Sequence, residues 1–198
     1  MVDSLRSGGI YSTSLLQSFA AVPRHLFVSE ALRYRAYEDT SLPIGFGQTI
    51  SRPSTIGHML QVCDIRSNDR VLEVGTGSGY QAALISCMCK SITTCERLHD
   101  LHVRARQILM GLRMNNVHCL HNGDGSFDGI QGVFNVIVVA AVADSIPGML
   151  FNLLAPGGKM VVPVRTDDGQ VLRRYGRDEQ GDILEEDMGN ANFVPLVV

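Results

Sequence analysis

The sequence predicts an α/β fold: a doubly wound, mostly parallel sheet with N-terminal helices on one side of the chain order and an antiparallel edge on the other. Three observations carry this prediction. Short β-branched runs alternate with amphipathic stretches from Arg70 to Val164, the pattern of parallel strands joined by crossover helices. The run at 134–141, FNVIVVAA, is continuous rather than alternating, as suits a strand buried on both faces. A glycine-rich turn, Gly75-Thr76-Gly77-Ser78-Gly79, lies between the first of these strands and a helix.

The elements follow in order. The first 40 residues read as mostly helical, with VPRHLF (22–27) as a breaker and SEALRYRAY (29–37) as a short charged helix. Residues 41–53 hold two prolines and two glycines without any period and are expected to form a loop. Ile56, Met59, Leu60 and Cys63 recur at i, i+3, i+4 and i+7, one face of a helix. VLEV (71–74) is a strand and YQAALISCMC (80–89) a buried helix. SITTC (91–95) is the second strand, and Leu98, Leu101, Ala105, Ile108 and Leu112 mark the next helix. VHCL (117–120) and 134–141 are further strands. IPGMLFNLL (146–154) reads as a helix stopped by Pro156-Gly157-Gly158, and KMVVPV (159–164) as the fifth strand. In the tail, turns at Asp168-Gly169 and at 178–181 separate QVLRRY, ILEEDM and NFVPLVV, which read as hairpin strands on the sheet edge. No repeat or linker interrupts the chain. A single domain over 1–198 is expected, with helices and loop in 1–53, a binding core in 54–164 and the edge hairpins in 165–198.

Composition narrows the function classes. The 198 residues are 45% hydrophobic and 19% charged, which excludes a disordered chain. A net charge of −3 argues against a general nucleic-acid binder. The four arginines of 165–187 sit among acidic residues and form a mixed, solvated face rather than a phosphate track. The longest apolar run, Val136 to Ala143, is far short of the ~20 residues of a membrane-spanning helix. The N-terminal residues offer no apolar stretch for a secretory signal. The five cysteines lack the spacing of a disulfide framework, so reduced, mostly buried thiols in a cytoplasmic protein are expected. No membrane or nucleic-acid partner is expected.

The chemistry concentrates around the glycine turn. Glycines permit a sharp turn and close approach of a ligand to bare backbone, and the following helix N-terminus offers unpaired N–H groups. Glu96 ends the second strand, about 20 residues beyond Gly75, where a carboxylate can accept hydrogen bonds from both ribose hydroxyls. The spacing is G-x-G-x-G, with Tyr80 in the sixth place, not the dinucleotide fingerprint G-x-G-x-x-G. Glu73 on the strand and Asp124 in Gly123-Asp124-Gly125 are expected to face the same pocket. An acidic pocket repels a pyrophosphate and suits a cationic sulfonium, so S-adenosylmethionine fits better than NAD. Ser51, taken by itself, reads as a loop serine capping the next helix.

LPIGFGQTISRP (42–53), VLEVGTGSGYQAA (71–83), GDG (123–125) and FVPL (193–196) together resemble the protein-L-isoaspartate O-methyltransferase family. VPRHLF, AYED (36–39), LLAPGG (153–158) and VPV (162–164) match in the same order. The resemblance implies a Rossmann-like fold of the class I S-adenosylmethionine-dependent methyltransferases. It implies methylation of the free α-carboxylate of isoaspartyl residues in damaged proteins, with S-adenosylhomocysteine as product and a monomeric enzyme. The ester then closes to a succinimide that can reopen to aspartate. By resemblance Ser51 is the active-site serine. Thr49, Ile50, Glu73, Gly75, Thr76, Gly77, Ser78, Gly79, Tyr80, Glu96, Arg97, Asp124 and Gly125 match cofactor-binding positions. Gln48, Arg52, Val139 and Arg165 are expected around the substrate.

The sequence departs from the family pattern in places. Arg52 stands where a small or amide residue is usual, Asn135 where an aspartate opens the strand, and Val139 where a threonine precedes Ala-Ala. Val142-Ala143 replaces a proline-bearing turn, and Arg165 follows VPV in place of glycine. These changes keep two alternatives open: a relative that methylates an aspartate of one dedicated peptide, and a non-catalytic cofactor-binding module. His99-x-x-His102 and His118-x-x-His121, with Cys95 and Cys119, have the residue types of a zinc site. His99 and His102 lie on a helix whose apolar face is already assigned, and no metal is expected.

Overall fold

The computed structural model describes residues 1–127 and 129–196. The N-terminal part forms α1 (Val2–Ser7), α2 (Thr13–Ala21), two 3-10 turns (Arg24–Phe27 and Glu30–Arg35), β1 (Leu42–Gly45), β2 (Gln48–Ile50) and α3 (Pro53–Cys63). The alternating part comes next as β3 (Arg70–Val74), α4 (Tyr80–Ser86), β4 (Ser91–Glu96), α5 (His99–Gly111), β5 (Val117–His121) and β6 (Phe134–Val139). It continues through α6 (Gly148–Asn152), β7 (Leu154–Thr166), β8 (Gly169–Arg177) and β9 (Ile183–Asn190).

Seven strands form one sheet in the order β5-β4-β3-β6-β7-β8-β9. The first five are parallel, and β8 and β9 add antiparallel pairings at one edge. The chain winds outward from β3 in one direction and from β6 in the other. These two strands are neighbours, with Val74 level with Cys95 of β4 and Val139 of β6. Their carboxyl ends therefore flank the topological switch point, where ligands of open α/β sheets bind.

The alternation of β6 explains its continuous apolar run. Val136 and Val138 pack with Val71 and Val161 into the larger core under α2, α3, α4 and α5. Ile137 and Val139 pack with Leu72, Val74, Met160 and Val162 into the opposite core, against Phe127, Ile130 and Leu150. That second face carries the short α6, the connection after β5 and Leu196 of the tail.

Several sequence expectations need correction. Residues 41–53 are not a loop throughout: β1 and β2 pair as an antiparallel hairpin with Leu42 opposite Ile50. Its turn places Gly45, Phe46 and Gly47 at positive φ, and the turn's glycines mask the short strands. The charged segment 29–37 is a 3-10 turn with no buried residue inside Glu30–Arg35, so it lacks an apolar face to hold an α-helix. The breaker at 22–27 contains a 3-10 turn that buries Arg24 and Phe27. Helix α4 ends at Ser86, short of Cys89. On α5 the buried face is Leu101, Ala105 and Leu109, not Ile108. Pro156-Gly157-Gly158 lies inside β7, at a register irregularity opposite the start of β6. NFVPLVV is not a hairpin strand over its described part: it touches the molecule through a parallel bridge between Pro195 and Val142. Pro195 lacks the N–H that would extend a ladder. Val197 and Val198 lie outside the described residues. The five cysteines are free; Cys63 and Cys95 are buried, Cys89 and Cys119 half-buried, and Cys87 exposed. Among the described residues, no helix is long and apolar enough to cross a membrane.

Candidate active site

The cleft opens at the carboxyl ends of β3, β4 and β6, and the sequence folds its first wall locally. Beyond Val74 the chain turns back on itself, and the N–H groups of Gly75 and Thr76 both donate to the Cys95 carbonyl, at 2.9 and 3.1 Å. The Gly77 N–H donates to Glu96 Oε2 at 2.8 Å, and Leu98 N–H donates to Oε1 at 2.9 Å. Glu96 is thus pinned by two backbone donors while each oxygen keeps accepting capacity. Gly79 N–H donates to the Thr76 carbonyl at 2.8 Å, and Tyr80 N–H to Ser78 Oγ at 3.2 Å. These five N–H groups of the turn and the helix start are bonded within the protein. What the turn presents is contour. Gly77 has φ +53°, and a Cβ there would lie 3.6 Å from Ile44 Cδ1 across the cleft edge. At Gly79 (φ +85°) a Cβ would meet the Ala105 Cβ at 3.1 Å, so this glycine lets α4 seat against α5.

Beneath the turn runs a polar chain. Thr76 Oγ1 lies 2.6 Å from Thr94 Oγ1, which donates to Glu73 Oε2 at 2.6 Å. Glu73 is fully buried. Desolvation outweighs the Thr94 hydrogen bond and pushes its carboxyl up to about 8. At neutral pH this group is protonated.

The second wall is the β1–β2 hairpin together with Ser51 and the start of α3. Gln48, Thr49, Ile50 and Ser51 line the cleft, with Ile56 of α3 beside them. Arg104 of α5 donates to the Ile44 carbonyl at 2.8 Å and ties the hairpin to the cofactor-side helices. The α3 N-terminus is capped from elsewhere: Ser54 N–H donates to Asp39 Oδ1 at 2.8 Å, and the residue before the helix is Arg52. Ser51 is therefore not a helix cap. Ala140 and Ala141 form the floor. The segment Val194–Leu196 closes the far side, held by Val142 N–H to the Val194 carbonyl (2.8 Å) and Leu196 N–H to the Val142 carbonyl (2.7 Å).

Of the residues singled out from sequence, Gln48, Thr49, Ile50, Ser51, Gly75, Thr76, Gly77, Ser78, Glu96, Arg97 and Gly125 share the lining of this one cleft. Others lie off it. Glu73 is under the turn, because strand alternation sends it toward Thr94, away from the cleft. Gly79 and Tyr80 sit behind the turn, and Tyr80 is buried edge-on against Phe19 and Phe27. Asp124 faces solvent and accepts from Ser126 N–H at 3.0 Å, which holds its carboxyl below the usual range. The expected acidic pocket thus reduces to Glu96. Arg52 folds onto Thr55 Oγ1 at 2.9 Å. Arg165 pairs with Asp144 at 2.6 Å. Val139 is buried in the second core, and Asn135 accepts from Arg70 N–H at the opposite end of the sheet. None of Arg52, Val139 and Arg165 lines the cleft.

Sequence reasoning misses Gln81, Leu98, Asn122, Phe127, Ala140, Ala141 and Val194–Leu196, all part of the lining. Asn122 has a buried Oδ1 without a partner among the described residues. The YQAA, Ala-Ala and FVPL segments of the family resemblance contain Gln81, Ala140-Ala141 and Val194–Leu196 without assigning them a role. The histidines are a different surprise. The rings of His99 and His102 lie 5.2 and 5.6 Å from that of His121. Among the described residues, no group of three or more His, Cys, Asp or Glu side chains is placed to hold a metal ion.

Comparison with known proteins bears on all of this. The family model for protein-L-isoaspartate(D-aspartate) O-methyltransferase matches residues 1–198. A protein-L-isoaspartate O-methyltransferase of Trichlorobacter lovleyi is 41% identical over 190 residues, covering 96% of this chain and 87% of that protein. One of Stenotrophomonas maltophilia is 43% identical over 197 residues, covering all of this chain and 87% of the relative. A solved Plasmodium falciparum chain, crystallised in complex with S-adenosyl-L-homocysteine, superposes with a TM-score of 0.86 at 24% identity, over 99% of this chain and 96% of that one. The fold is that of the class I methyltransferases, as the strand order and these neighbours agree. On the full-length match and the 41–43% identities, the chain belongs to the protein-L-isoaspartate(D-aspartate) O-methyltransferase family.

Proposed function

We infer that the protein transfers the methyl group of S-adenosylmethionine to the free α-carboxylate of L-isoaspartyl residues in proteins, the first step of their repair through a succinimide. The observation that carries the reading is a single cleft lined on one side by the glycine turn with Glu96 and on the other by Ser51. The residues present suit the cofactor. Gly77 leaves open the space a side chain would take, Glu96 offers two oxygens to a ribose diol, and Leu98 and Phe127 supply apolar surface for a purine.

When bound, S-adenosylmethionine supplies a methyl group activated by the adjacent sulfonium. The acceptor carboxylate, with an ordinary pKa near 4, is already ionised at neutral pH, so the protein needs no general base. Its task is to hold the carboxylate oxygen in line with the methyl carbon at close range. We assign that task to the Ser51 hydroxyl, with Gln48 beside it, while Thr49 and Ile50 border the cofactor. Gly75, Thr76, Gly77, Ser78, Arg97 and Gly125 would contact the cofactor directly. Glu73, Gly79 and Tyr80 would act from behind by shaping the turn, and Asp124 by fixing the conformation of its loop. We further propose a monomeric enzyme and, from charge and composition, a cytoplasmic one with neither nucleic-acid nor membrane partners.

Incubation with labelled S-adenosylmethionine and matched isoaspartyl, aspartyl and undamaged peptides tests the reading. Label is expected in the isoaspartyl peptide alone. Label in the aspartyl peptide favours a dedicated aspartate methyltransferase, and cofactor binding without label in any peptide makes the protein a binding module.

A further inference from the structure

Arg24, in the segment VPRHLF, is fully buried. A buried guanidinium is expensive unless its donors are met, and its partners here are carbonyls and a ring. Nε donates to the Ala36 carbonyl at 2.8 Å. Nη2 donates to the Thr40 carbonyl at 3.4 Å and to the Ser51 carbonyl at 2.8 Å. Cζ lies 4.9 Å from the ring centroid of Tyr80. Desolvation brings its pKa down to about 10, so it stays charged at neutral pH.

These contacts join parts of the molecule that meet nowhere else in sequence. Ala36 and Thr40 bound the segment leading into the hairpin. Tyr80 is the first residue of α4, immediately after the glycine turn. Ser51 lies between the end of β2 and the start of α3, and its side chain makes no cap to anchor it. A lysine at this position has a single ammonium and cannot reach the three carbonyls as a planar fork does. Nη1 remains buried without a hydrogen-bond partner among the described residues.

We propose that Arg24 is a positioning residue for methyl transfer, fixing the Ser51 backbone against Tyr80 so that the serine hydroxyl stands at a set distance from the glycine-turn wall. The proposal rests on the assignment of Ser51 to the acceptor carboxylate. It makes Arg24 important to the rate through Ser51, without contact to either reactant.

A double-mutant cycle separates the two statements. Arg24→Lys, Ser51→Ala and the double variant are compared in single-turnover methylation of an isoaspartyl peptide, with cofactor affinity measured by calorimetry. Arg24→Lys should slow methyl transfer about ten- to hundredfold, the penalty of a small misplacement, with cofactor affinity nearly unchanged. In the Ser51→Ala background the same change should alter the rate by no more than about twofold, because the hydroxyl it positions is gone. A slow Ser51→Ala enzyme with fully multiplicative effects overturns the role of Arg24 and leaves the Ser51 assignment standing. A Ser51→Ala enzyme at the wild-type rate overturns the Ser51 assignment, and this proposal with it. Should Arg24→Lys not fold, Arg24→Gly titrated with methylguanidinium gives a second test. Rate and melting temperature should both recover, and recovery of melting temperature without rate counts against the proposal.

Discussion

The two walls of the cleft are held in different ways. The glycine-turn wall is anchored by bonds between neighbouring strand ends: Gly75 and Thr76 to Cys95, Gly77 and Leu98 to Glu96, and Thr76 to Thr94 to Glu73. Its partners come from one β-α-β unit. The Ser51 wall has no such unit. It is tied down by single bonds from distant parts of the chain: Arg24 to the Ser51 carbonyl, Arg104 to the Ile44 carbonyl, and Ser54 N–H to Asp39. The cofactor wall thus draws its bonds from one βαβ unit, whereas the acceptor wall draws on the N-terminal segment and α5. Substitutions on the first wall should therefore act on stability and cofactor binding, and those on the second on turnover.

The largest expected effect tests the buried chain under the first wall. The Glu73 carboxyl has an ordinary value of 4.5 and is raised to about 8 by burial. Stability from keeping it protonated is complete below about pH 4.5 and is lost as pH rises through about 8. Glutamine has the same shape and does not titrate. Relative to Glu73→Gln, the native protein should therefore lose stability on the order of several kcal/mol between those limits. Urea unfolding of both proteins from pH 5 to 9 measures the difference, and parallel curves would mean that Glu73 is ionised in the folded state.

Next comes Gly77, where contour meets ligand. At about 100 times the dissociation constant, S-adenosylhomocysteine should stabilise the native protein by about 2.7 kcal/mol. Gly77→Val places a branched side chain at φ +53° and toward Ile44. The variant should fold and lose the whole ligand-dependent shift in melting temperature. A retained shift would move the cofactor away from the turn. Ser51→Ala sharpens the contrast from the other wall. Loss of one hydrogen bond to the reacting carboxylate should slow turnover about ten- to hundredfold, with the ligand-dependent shift unchanged. If the two variants both abolish cofactor binding, the division between the walls does not hold.

The same division explains what is legible from sequence. The first wall can be located from local pattern, since VLEV, the G-x-G-x-G turn and Glu96 lie within one strand–helix–strand unit. Even there, side-chain direction is not legible: the pattern points Glu73 and Asp124 at the cleft, and alternation and an Asx turn direct them elsewhere. The second wall gives no periodic signal. Two strands shorter than a usual run sit around three consecutive positive-φ residues, so the hairpin reads as a loop. Ser51 stands out only through resemblance to a family. Arg24 is inconspicuous inside a segment that reads as a breaker, because nothing local tells a buried arginine from an exposed one. Asn122 and the tail at Val194–Leu196 reach the cleft by long-range docking, which no window of sequence contains.

The smallest expected effect lies at the rim, where the family resemblance leads one to expect Arg52 and Arg165 around the substrate. Arg165 is engaged by Asp144 at 2.6 Å, with both side chains substantially exposed, and Arg52 is turned onto Thr55. A paired guanidinium presents little net charge to a passing peptide, so rates on acidic and neutral flanks should be nearly equal for the native enzyme. Releasing the arginine should create the preference. In Asp144→Asn, Arg165 loses its counter-charge, and peptides with an acidic residue beside the isoaspartate should react about 1.5- to 5-fold faster than neutral ones, the equivalent of an exposed ion pair of about 0.2–1 kcal/mol. Salt should erase the difference, because a contact open to solvent is screened over roughly 10 Å at 0.1 M. The double variant Asp144→Asn with Arg165→Gly should be flat again. An acidic preference already present in the native enzyme would mean that a different cation reads the flank, since Arg165 is held by its own neighbour.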